Sequence, residues 1–343
     1  MSVAAILVHP GLGTPGGVST DVSQLAGGLR KRGVEVALAG SLRDLRRELD
    51  ALPRGLVCPF GCLPGVLVPA GFGLAKARRR RLIWTPVFHP SRPRSWQGYG
   101  ALRVMELFDR VAPHAARFAD AVIAATEAEA AFFRSLGAKR VERIPPGVWG
   151  LPEPADPWRV EAFGRRVGLD DGPVVLMVAR DNSRKGLPFG LAAFAALREL
   201  LSGAQLLLCG PEPGFHASRQ PGMRCPGWLE PDEIGCAYRR ADLLFVSSLY
   251  EGLPRAVVEA WRYSLPVVAS DRIALAPDVA AGRGLVVRYG DAGGAAAALA
   301  RVLGDPALAR RFGEAGRRHV EENFLMEDIV ARTESLYREL GQG

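Results

Sequence analysis

The chain has 343 residues, of which 48% are hydrophobic and 23% are charged. This balance is too apolar for a disordered chain, and the length predicts two packed domains. The sequence contains no run of about 18 uncharged apolar residues and no basic segment before its N-terminal apolar stretch, so we expect neither a membrane span nor a secretory signal, and we predict a cytoplasmic protein.

The cysteines and the charges narrow the class of protein further. Five cysteines, an odd number, indicate reduced thiols in the core rather than a disulfide framework or a zinc site. Residues 1–150 hold 21 Lys and Arg against 11 Asp and Glu, whereas residues 151–343 hold 23 against 25. The resulting positive field of the N-terminal half attracts anions. We expect no nucleic-acid partner.

Residues 76–81 form the densest basic cluster of the N-terminal half, with one Lys and four Arg. Two interpretations stay open for this cluster. It could bind a phosphorylated or lipid-linked acceptor or an anionic lipid surface, which would make the protein peripheral at the inner membrane face. It could equally be the solvated polar end of one helix.

The first forty residues predict a strand, a glycine-rich turn, a helix and a second strand. Residues 3–9 are a continuous apolar run, typical of a strand buried on both faces of a parallel sheet. Apolar residues then recur at helical spacing over 18–32, and residues 34–39 are apolar again. The same alternation continues through apolar runs at 82–88 and 120–125 and helical patterns at 99–118 and 126–135.

A proline-rich segment predicts the domain boundary. Residues 145–158 hold five prolines, which neither helices nor sheet interiors tolerate. Beyond them a second alternation begins, with predicted strands at 174–178, 205–209, 243–247 and 266–269, helices at 190–201, 232–238 and 255–263, and a helical tail at 305–340. We therefore predict an N-terminal domain over 1–150 and a C-terminal domain over 151–322, both α/β, leaving a cleft between the carboxyl ends of their strands.

The glycine turn at residues 11–16 matches the pattern G-x-G-x-x-G after a strand, which is typical of a dinucleotide site. A dehydrogenase also needs an acidic residue at the end of the second strand, but residues 39–41 are Ala, Gly and Ser, and Pro15 removes a backbone donor. Gly16 and Gly17 remain as a helix start that could approach a phosphate, or as a tight turn without a ligand.

Two carboxylates stand eight positions apart in the C-terminal half, at Glu251 and Glu259. Glu251 follows a predicted strand, and Pro254 is suited to the first position of the next helix. The helix start at Leu253, Pro254 and Arg255 could stabilise an anion, while the carboxylates could accept hydrogen bonds from sugar hydroxyls. The alternative is a solvated Glu251 and a Glu259 that caps a neighbouring group.

This segment, with residues 239–248 before it and 265–271 after it, resembles the signature of the group 1 (family four) glycosyltransferases. The resemblance implies the GT-B fold, with two Rossmann-like doubly wound domains facing across a cleft. It also implies a nucleotide-diphosphate-sugar donor, retention of anomeric configuration, and no metal or other cofactor. The E-x7-E motif of the family falls on Glu251, for the donor sugar or its anomeric centre, and on Glu259, for the nucleotide ribose.

Residues 175–186 resemble the family's strand and basic loop, which implies that Arg180 and Lys185 bind the donor diphosphate. Fixed cations at that place would stabilise the charge that grows on the leaving group as the glycosidic bond breaks. Lys185 is one of only four lysines beside forty arginines, which favours a need for a compact ammonium there. The alternative is two exposed basic residues on a loop.

Further resemblances extend over nearly the whole chain. Residues 83–90 resemble the family's strand that ends in a histidine, which implies that His89 contacts the donor sugar or its phosphate, whereas His9 has a packing role. The nucleotide base is expected at the loop of Trp228 and Leu229. The resemblance also implies that residues 323–343 form a helix that returns to the N-terminal domain. Ser264 departs from the family pattern, which usually has Gly there.

These observations predict a retaining, metal-independent glycosyltransferase that transfers a sugar from a nucleotide-diphosphate-sugar to an acceptor hydroxyl. The sequence contains no D-x-D motif, which agrees with charge neutralisation by side chains rather than by a metal ion. Three alternatives stay open: a non-catalytic protein that binds nucleotide sugars or polyanions, a GT-B epimerase or phosphorylase, and more remotely a nicotinamide dehydrogenase.

Overall fold

In this computed structural model, the chain forms two compact units. The first unit lies within residues 1–149 and 324–343, and the second lies within residues 150–323. The structure describes residues 3–10, 12, 17–52, 54–61, 67–86, 112–148, 157–179, 183–210 and 220–341.

The first unit is built on parallel strands with helices between them. One three-stranded sheet has the order β2-β1-β3 and another the order β4-β5-β6, and isolated parallel bridges Val57–Leu82 and Phe60–Thr85 connect β3 to the β4 segment. The strands are β1 (Ala4–Val8), β2 (Glu35–Ala39), β3 (Leu56–Pro59), β4 (Ile83–Trp84), β5 (Ala121–Ala124) and β6 (Val141–Arg143). The helices are α1 (Gly17–Lys31), α2 (Leu42–Ala51), α3 (Leu67–Ala77) and α4 (Glu127–Ser135), with a 3-10 helix at Ala112–Phe118.

These bounds confirm the predicted strands and helix of the first forty residues. Of the helical pattern predicted over 99–118, residues 112–118 form the 3-10 helix, and the rest lies outside the described residues. Strand β3 and helices α2 and α3 had no sequence prediction. Strand β5 lies within the predicted apolar run at 120–125, and all of its residues are buried, as a strand covered on both faces requires.

The second unit contains one six-stranded parallel sheet in the order β12-β11-β10-β7-β8-β9. The strands are β7 (Val174–Val178), β8 (Gln205–Cys209), β9 (Met223–Gly227), β10 (Leu243–Val246), β11 (Val267–Ser270) and β12 (Gly284–Val287). The helices are α5 (Pro157–Val167), α6 (Leu187–Leu200), α7 (Pro231–Arg240), α8 (Arg255–Arg262), α9 (Ala276–Ala280), α10 (Ala292–Gly304) and α11 (Pro306–Asn323), with a 3-10 helix at Ser183–Lys185.

The order of these strands places the first strand of the unit, β7, in the middle of the sheet. The chain winds outward from β7 to β9 on one side and from β10 to β12 on the other, which creates a switch point between β7 and β10. The sequence predicted four of these six strands. It missed β9, whose residues are only half-buried and include Pro226, and β12.

Helix α12 (Met326–Gly341) belongs to the first unit although it follows the second along the chain. It packs on α1, where Gly28 lies against the side chain of Val330. Glu334 forms ion pairs with Arg32 and Arg338. No α-helix among the described residues is both long and apolar enough to cross a membrane.

The described cysteines form no disulfide with one another. Cys58 and Cys209 are fully buried in the two cores, and burial raises the pKa of the Cys58 thiol to about 12. At neutral pH this thiol is therefore protonated and a poor nucleophile.

Candidate functional site

The candidate site lies at the switch point of the second sheet, on the loops that follow β7 and β10. The loop after β7 contains the 3-10 helix that ends at Lys185, and the loop after β10 contains Ser247, Ser248 and Glu251. A backbone hydrogen bond joins the two loops, in which the Leu249 amide donates to the Arg184 carbonyl at 2.7 Å. Ser247 Oγ also donates to the Lys185 carbonyl at 3.0 Å.

Lys185 and Glu251 form an ion pair at this junction. Lys185 Nζ lies 2.8 Å from Glu251 Oε1, and the two side chains are only 21% and 13% exposed. The Ser248 hydroxyl donates to the same Oε1 atom. Both contacts hold the carboxylate through Oε1, and because a carboxylate offers about four acceptor sites, it keeps acceptor capacity for a ligand hydroxyl.

Gly186 explains how the two loops come so close. Its φ of +60° lies in the left-handed region, and a Cβ at this position would overlap the Ser247 carbonyl oxygen. Gly186 is also the N-cap of α6. A side chain at 186 would push the Lys185 loop away from the Ser247 and Ser248 loop and separate the ion pair.

Glu259 lies on the first turns of α8, behind the helix start. The helix begins at Arg255 with Pro254 as its N-cap, so the prediction of Pro254 as the first helical residue was wrong by one position. Glu259 Oε1 lies 3.5 Å from Arg255 Nε, and Oε2 accepts a hydrogen bond from the Tyr238 hydroxyl at 2.8 Å. Glu259 therefore does bind neighbouring groups of the protein, as the alternative interpretation of this residue expected.

Tyr238 is fully buried in α7, and its environment keeps its proton in place. Burial, and then the neighbouring Glu259 carboxylate, raise the pKa of the Tyr238 phenol well above its usual value. The phenol is therefore a hydrogen-bond donor at any physiological pH, and its acceptor is Glu259.

The loop after β9 carries the two residues predicted for the nucleotide base. Trp228 is 57% exposed, which is unusual for so large an apolar side chain, whereas Leu229 is buried. The Gly210 amide donates to the Gly227 carbonyl at 2.8 Å, which holds the end of β9 beside the end of β8. An exposed indole at this edge can stack on a planar ligand.

Three predicted site residues, Gly16, His89 and Arg180, lie outside the described residues. Gly17 begins α1, as its predicted place at a helix start requires. His9, which follows β1, donates a hydrogen bond from Nδ1 to the Phe60 carbonyl at 3.3 Å, and burial lowers the pKa of its imidazole. Within the ranges that the structure describes, no three His, Cys, Asp or Glu side chains gather into a group that could hold a metal ion.

The basic cluster 76–81 uses most of its charges within the first unit. Arg78 pairs with an aspartate of α2, Arg80 donates to a carbonyl of α2 at 3.2 Å, and Arg81 lies 3.2 Å from an aspartate before β5. Lys76 Nζ lies 5.0 Å from the centre of the Phe118 ring, which is 57% exposed. These contacts favour the helix-end interpretation for the arginines and add an exposed aromatic ring to the surface.

Sequence reasoning missed Ser248 and Tyr238. Ser248 stands three residues before Glu251, where a hydroxyl can reach the carboxylate across a tight turn, so local spacing held a signal. Tyr238 is 21 residues from Glu259 and lies on another helix, so only the packing of α7 against the site reveals the contact.

The family model described as "Glycosyl transferases group 1" matches residues 161–319 of this chain. A phosphatidyl-myo-inositol mannosyltransferase of Mycobacterium leprae (strain TN) is 29% identical over 342 residues, covering 88% of this chain and 87% of the relative. The lipopolysaccharide core biosynthesis glycosyltransferase LpsE of Rhizobium meliloti (strain 1021) is 27% identical, covering 94% and 96%.

Two solved structures share the fold over nearly the full length. A sucrose-phosphate synthase from Thermosynechococcus elongatus has a TM-score of 0.77 and 22% identity, covering 98% of this chain and 99% of its own. The Anabaena protein HepE in complex with UDP has a TM-score of 0.76 and 17% identity, covering 99% and 100%.

Proposed function

We propose that this chain, which has the GT-B fold and matches the group 1 glycosyltransferase model over residues 161–319, transfers a sugar from a nucleotide-diphosphate-sugar to an acceptor hydroxyl. The proposed transfer retains the anomeric configuration and needs no metal ion. The observation that carries the proposal is the ion pair between Lys185 and Glu251 at the switch point of the second sheet. The pair places an ammonium beside a carboxylate. One group can therefore contact a phosphate while the other contacts the sugar joined to it.

The reaction breaks the bond between the anomeric carbon and the diphosphate oxygen and forms a bond from that carbon to the acceptor oxygen. The acceptor's hydroxyl proton passes to the departing diphosphate. Charge therefore accumulates on the diphosphate, and the ammonium of Lys185 stabilises it more in the transition state than in the bound donor. Arg180 is proposed as the second cation.

Glu251 orients the donor sugar in this proposal. Its Oε1 atom is held by Lys185 and Ser248, and its Oε2 atom accepts a sugar hydroxyl. Glu259 accepts hydrogen bonds from the ribose hydroxyls, and the helix start at Leu253 and Arg255 faces the diphosphate.

The remaining predicted residues have roles at the two ends of the donor. The loop of Trp228 and Leu229 contacts the base. His89 acts near the anomeric carbon, and Gly16 and Gly17 lie near the acceptor or the phosphate.

Two related structures support a nucleotide donor. HepE has been crystallised with UDP, and separately with UDP-glucose. The corresponding donor for this chain is proposed only as a class, because base recognition at the Trp228 loop relies on stacking and backbone contacts that several bases satisfy.

The acceptor is proposed to bind to the first unit and to be anionic or lipid-linked. The +10 charge of residues 1–150 and the exposed Phe118 ring beside Lys76 support an anionic lipid surface, because aromatic rings flanked by cations bind at the membrane interface. Arg79, which is exposed, adds to this surface.

The test is release of nucleoside diphosphate from a panel of uridine, guanosine, adenosine and cytidine diphosphate sugars, with simple glycosides and lipid-linked glycosides as acceptors. Turnover from one donor with a new glycosidic product supports transfer. Tight binding without turnover would identify a binding protein, and conversion of the donor without an acceptor would identify an epimerase. Cleavage that requires inorganic phosphate would identify a phosphorylase.

Two further measurements address stereochemistry and metal. The anomeric proton coupling of the product, followed by NMR from the first turnovers, should match that of the donor. Excess chelator should leave the rate unchanged, and a rate that falls with chelator and returns with Mg²⁺ or Mn²⁺ would contradict neutralisation by Lys185 and Arg180 alone.

A further inference from the structure

The carboxylate of Glu259 is held on both of its oxygens. The Tyr238 hydroxyl donates to Oε2 at 2.8 Å, and Arg255 Nε lies 3.5 Å from Oε1. The Glu259 side chain keeps 18% of its surface exposed. Because a carboxylate offers about four acceptor sites, these two contacts fix its orientation and still leave acceptor capacity on each oxygen.

Tyr238 is itself immobilised by its surroundings. Its side chain is 1% exposed within α7, and its ring stacks on the Tyr263 ring with centroids 5.4 Å apart and planes 10° from parallel. Tyr263 is the C-cap residue of α8, and the Arg239 guanidinium lies 5.2 Å from its ring centre. The Tyr238 hydroxyl is thus a rigid donor that joins α7 to the carboxylate on α8.

We propose that Tyr238 is a positioning residue for the nucleotide: its hydroxyl holds the Glu259 carboxylate so that the remaining lone pairs face the ribose hydroxyls. This inference rests on the proposed role of Glu259 in ribose binding. The physical reason is preorganisation. A carboxylate that is already fixed loses little conformational freedom when it binds a diol, whereas a freely rotating one must be ordered first.

A buried tyrosine could also serve packing alone, and the two roles make different demands on its atoms. Packing requires the ring, whose stacking on Tyr263 survives replacement by phenylalanine. Positioning requires the hydroxyl, whose removal leaves Glu259 Oε2 without its donor from α7. Tyr238→Phe therefore separates the roles, and Tyr337→Phe, which alters an equally buried tyrosine of the first unit, is the matched control.

The experiment measures binding of nucleoside diphosphates to the full chain by titration calorimetry. The probe is whichever of uridine, guanosine, adenosine and cytidine diphosphate binds tightest, together with its 2′-deoxy and 3′-deoxy forms. Wild type should bind at least one deoxy form about tenfold more weakly than the ribose form, because a hydrogen bond to a charged group is lost. Glu259→Gln should reduce this discrimination.

For Tyr238→Phe we expect about tenfold weaker binding of the ribose form and nearly unchanged binding of the deoxy form, so the ribose discrimination collapses. Tyr337→Phe should keep it. Equal weakening of the ribose and deoxy forms by Tyr238→Phe, or no weakening, would overturn the positioning role. If wild type binds the ribose and deoxy forms equally well, both the positioning role of Tyr238 and the ribose role of Glu259 are overturned. A failure of all four nucleotides to bind would overturn the proposed function itself.

Discussion

Lys185 Nζ and Glu251 Oε1 lie 2.8 Å apart although the two residues are 66 positions apart along the chain. The sequence predicted a cation for the diphosphate and a carboxylate for the sugar, without relating them in space. A sugar and its phosphate share one covalent bond, so groups that contact both must themselves be neighbours. The contact therefore brings two separately predicted roles into one geometry.

Replacing either member of this pair should abolish most of the turnover. We expect Lys185→Ala and Glu251→Ala each to lower the rate of diphosphate release at least about 100-fold, the size of effect seen when one preorganised transition-state contact is removed. Lys139→Ala, which removes an exposed lysine of the first unit, is the control and should keep the wild-type rate. A wild-type rate in either site variant would refute its role.

Exchanging the charges of Lys185 and Glu251 tests whether their ion pair is needed for turnover as well as for stability. The double variant with Lys185→Glu and Glu251→Lys can form the ion pair again, but it places a carboxylate where the diphosphate is expected. We predict that its melting temperature recovers toward wild type while its turnover does not. Recovery of turnover would mean that the pair is only structural.

Ser264 should be more stable as glycine. Its φ is +57°, in the left-handed region at the end of α8, where a non-glycine residue costs about 1 kcal/mol or more. We expect Ser264→Gly to raise the free energy of unfolding by about 1 kcal/mol in urea titrations. Ser202→Gly, in a turn without positive φ, should lower it instead. Destabilisation by Ser264→Gly would show that the hydroxyl or Cβ has a separate packing role.

Two adjacent glycines of α1 should respond oppositely to alanine. A Cβ on Gly28 would overlap Val330 of α12, whereas a Cβ on Gly27 would meet nothing within 4 Å. Gly28→Ala should destabilise the first unit by about 1–3 kcal/mol through overpacking. Gly27→Ala should stabilise it by about 0.5–1 kcal/mol through helix propensity. Adding Val330→Ala to Gly28→Ala should restore part of the loss, and an unchanged loss would contradict direct packing.

The attachment of α12 should weaken in acid. Arg32, and then Arg338, lower the pKa of Glu334 below its ordinary value of 4.5. A carboxylate whose pKa is lower when folded adds stability that is fully present above its unfolded pKa and is lost as the pH falls through the folded pKa. The free energy of unfolding of wild type, measured in urea titrations, should therefore fall below about pH 4.5, and Glu334→Gln should reduce this pH dependence.

Glu322→Gln provides the control for that measurement, because Glu322 is exposed at the end of α11. It should leave the acid dependence as in wild type. If Glu334→Gln and wild type show the same slope between about pH 5 and about pH 3, other carboxylates dominate the acid response.

Lipid docking should depend on Phe118 and on lipid charge. We expect the full chain to sediment with vesicles of anionic lipid at low salt and less with neutral vesicles or at moderate salt, because screening shortens the reach of surface charges. Phe118→Ala should reduce recovery, whereas Leu200→Ala, which removes an exposed leucine of the second unit, should not. Equal recovery with neutral and anionic vesicles would count against docking by charge.

Much of the second unit could be predicted because its strands are local and strongly patterned. Residues 174–178 and 206–209 are continuous apolar runs, and the structure has strands at Val174–Val178 and Gln205–Cys209. Strand β9 could not be predicted, because it is half-buried and contains a proline, so neither alternation nor a continuous apolar run identifies it. It is held by pairing with β8, a contact between distant residues.

Ser264, which stands where the family pattern usually has glycine, also separates what the sequence indicates from what the structure explains. A family pattern with glycine at that position indicates a special backbone conformation, and the sequence alone could only mark the substitution. The structure supplies the reason, a left-handed residue after the last turn of α8.

The amino-acid sequence by itself determined the alternation of strands and helices, the basic N-terminal half and the spacing of Glu251 and Glu259, because each depends on residues close together along the chain. Only the tertiary structure decided that Lys185 meets Glu251, that Tyr238 holds Glu259 and that the arginines of the cluster 76–81 mostly turn to partners in their own unit. Those contacts join residues distant in sequence, and they arise from the packing of whole elements, which no local pattern records.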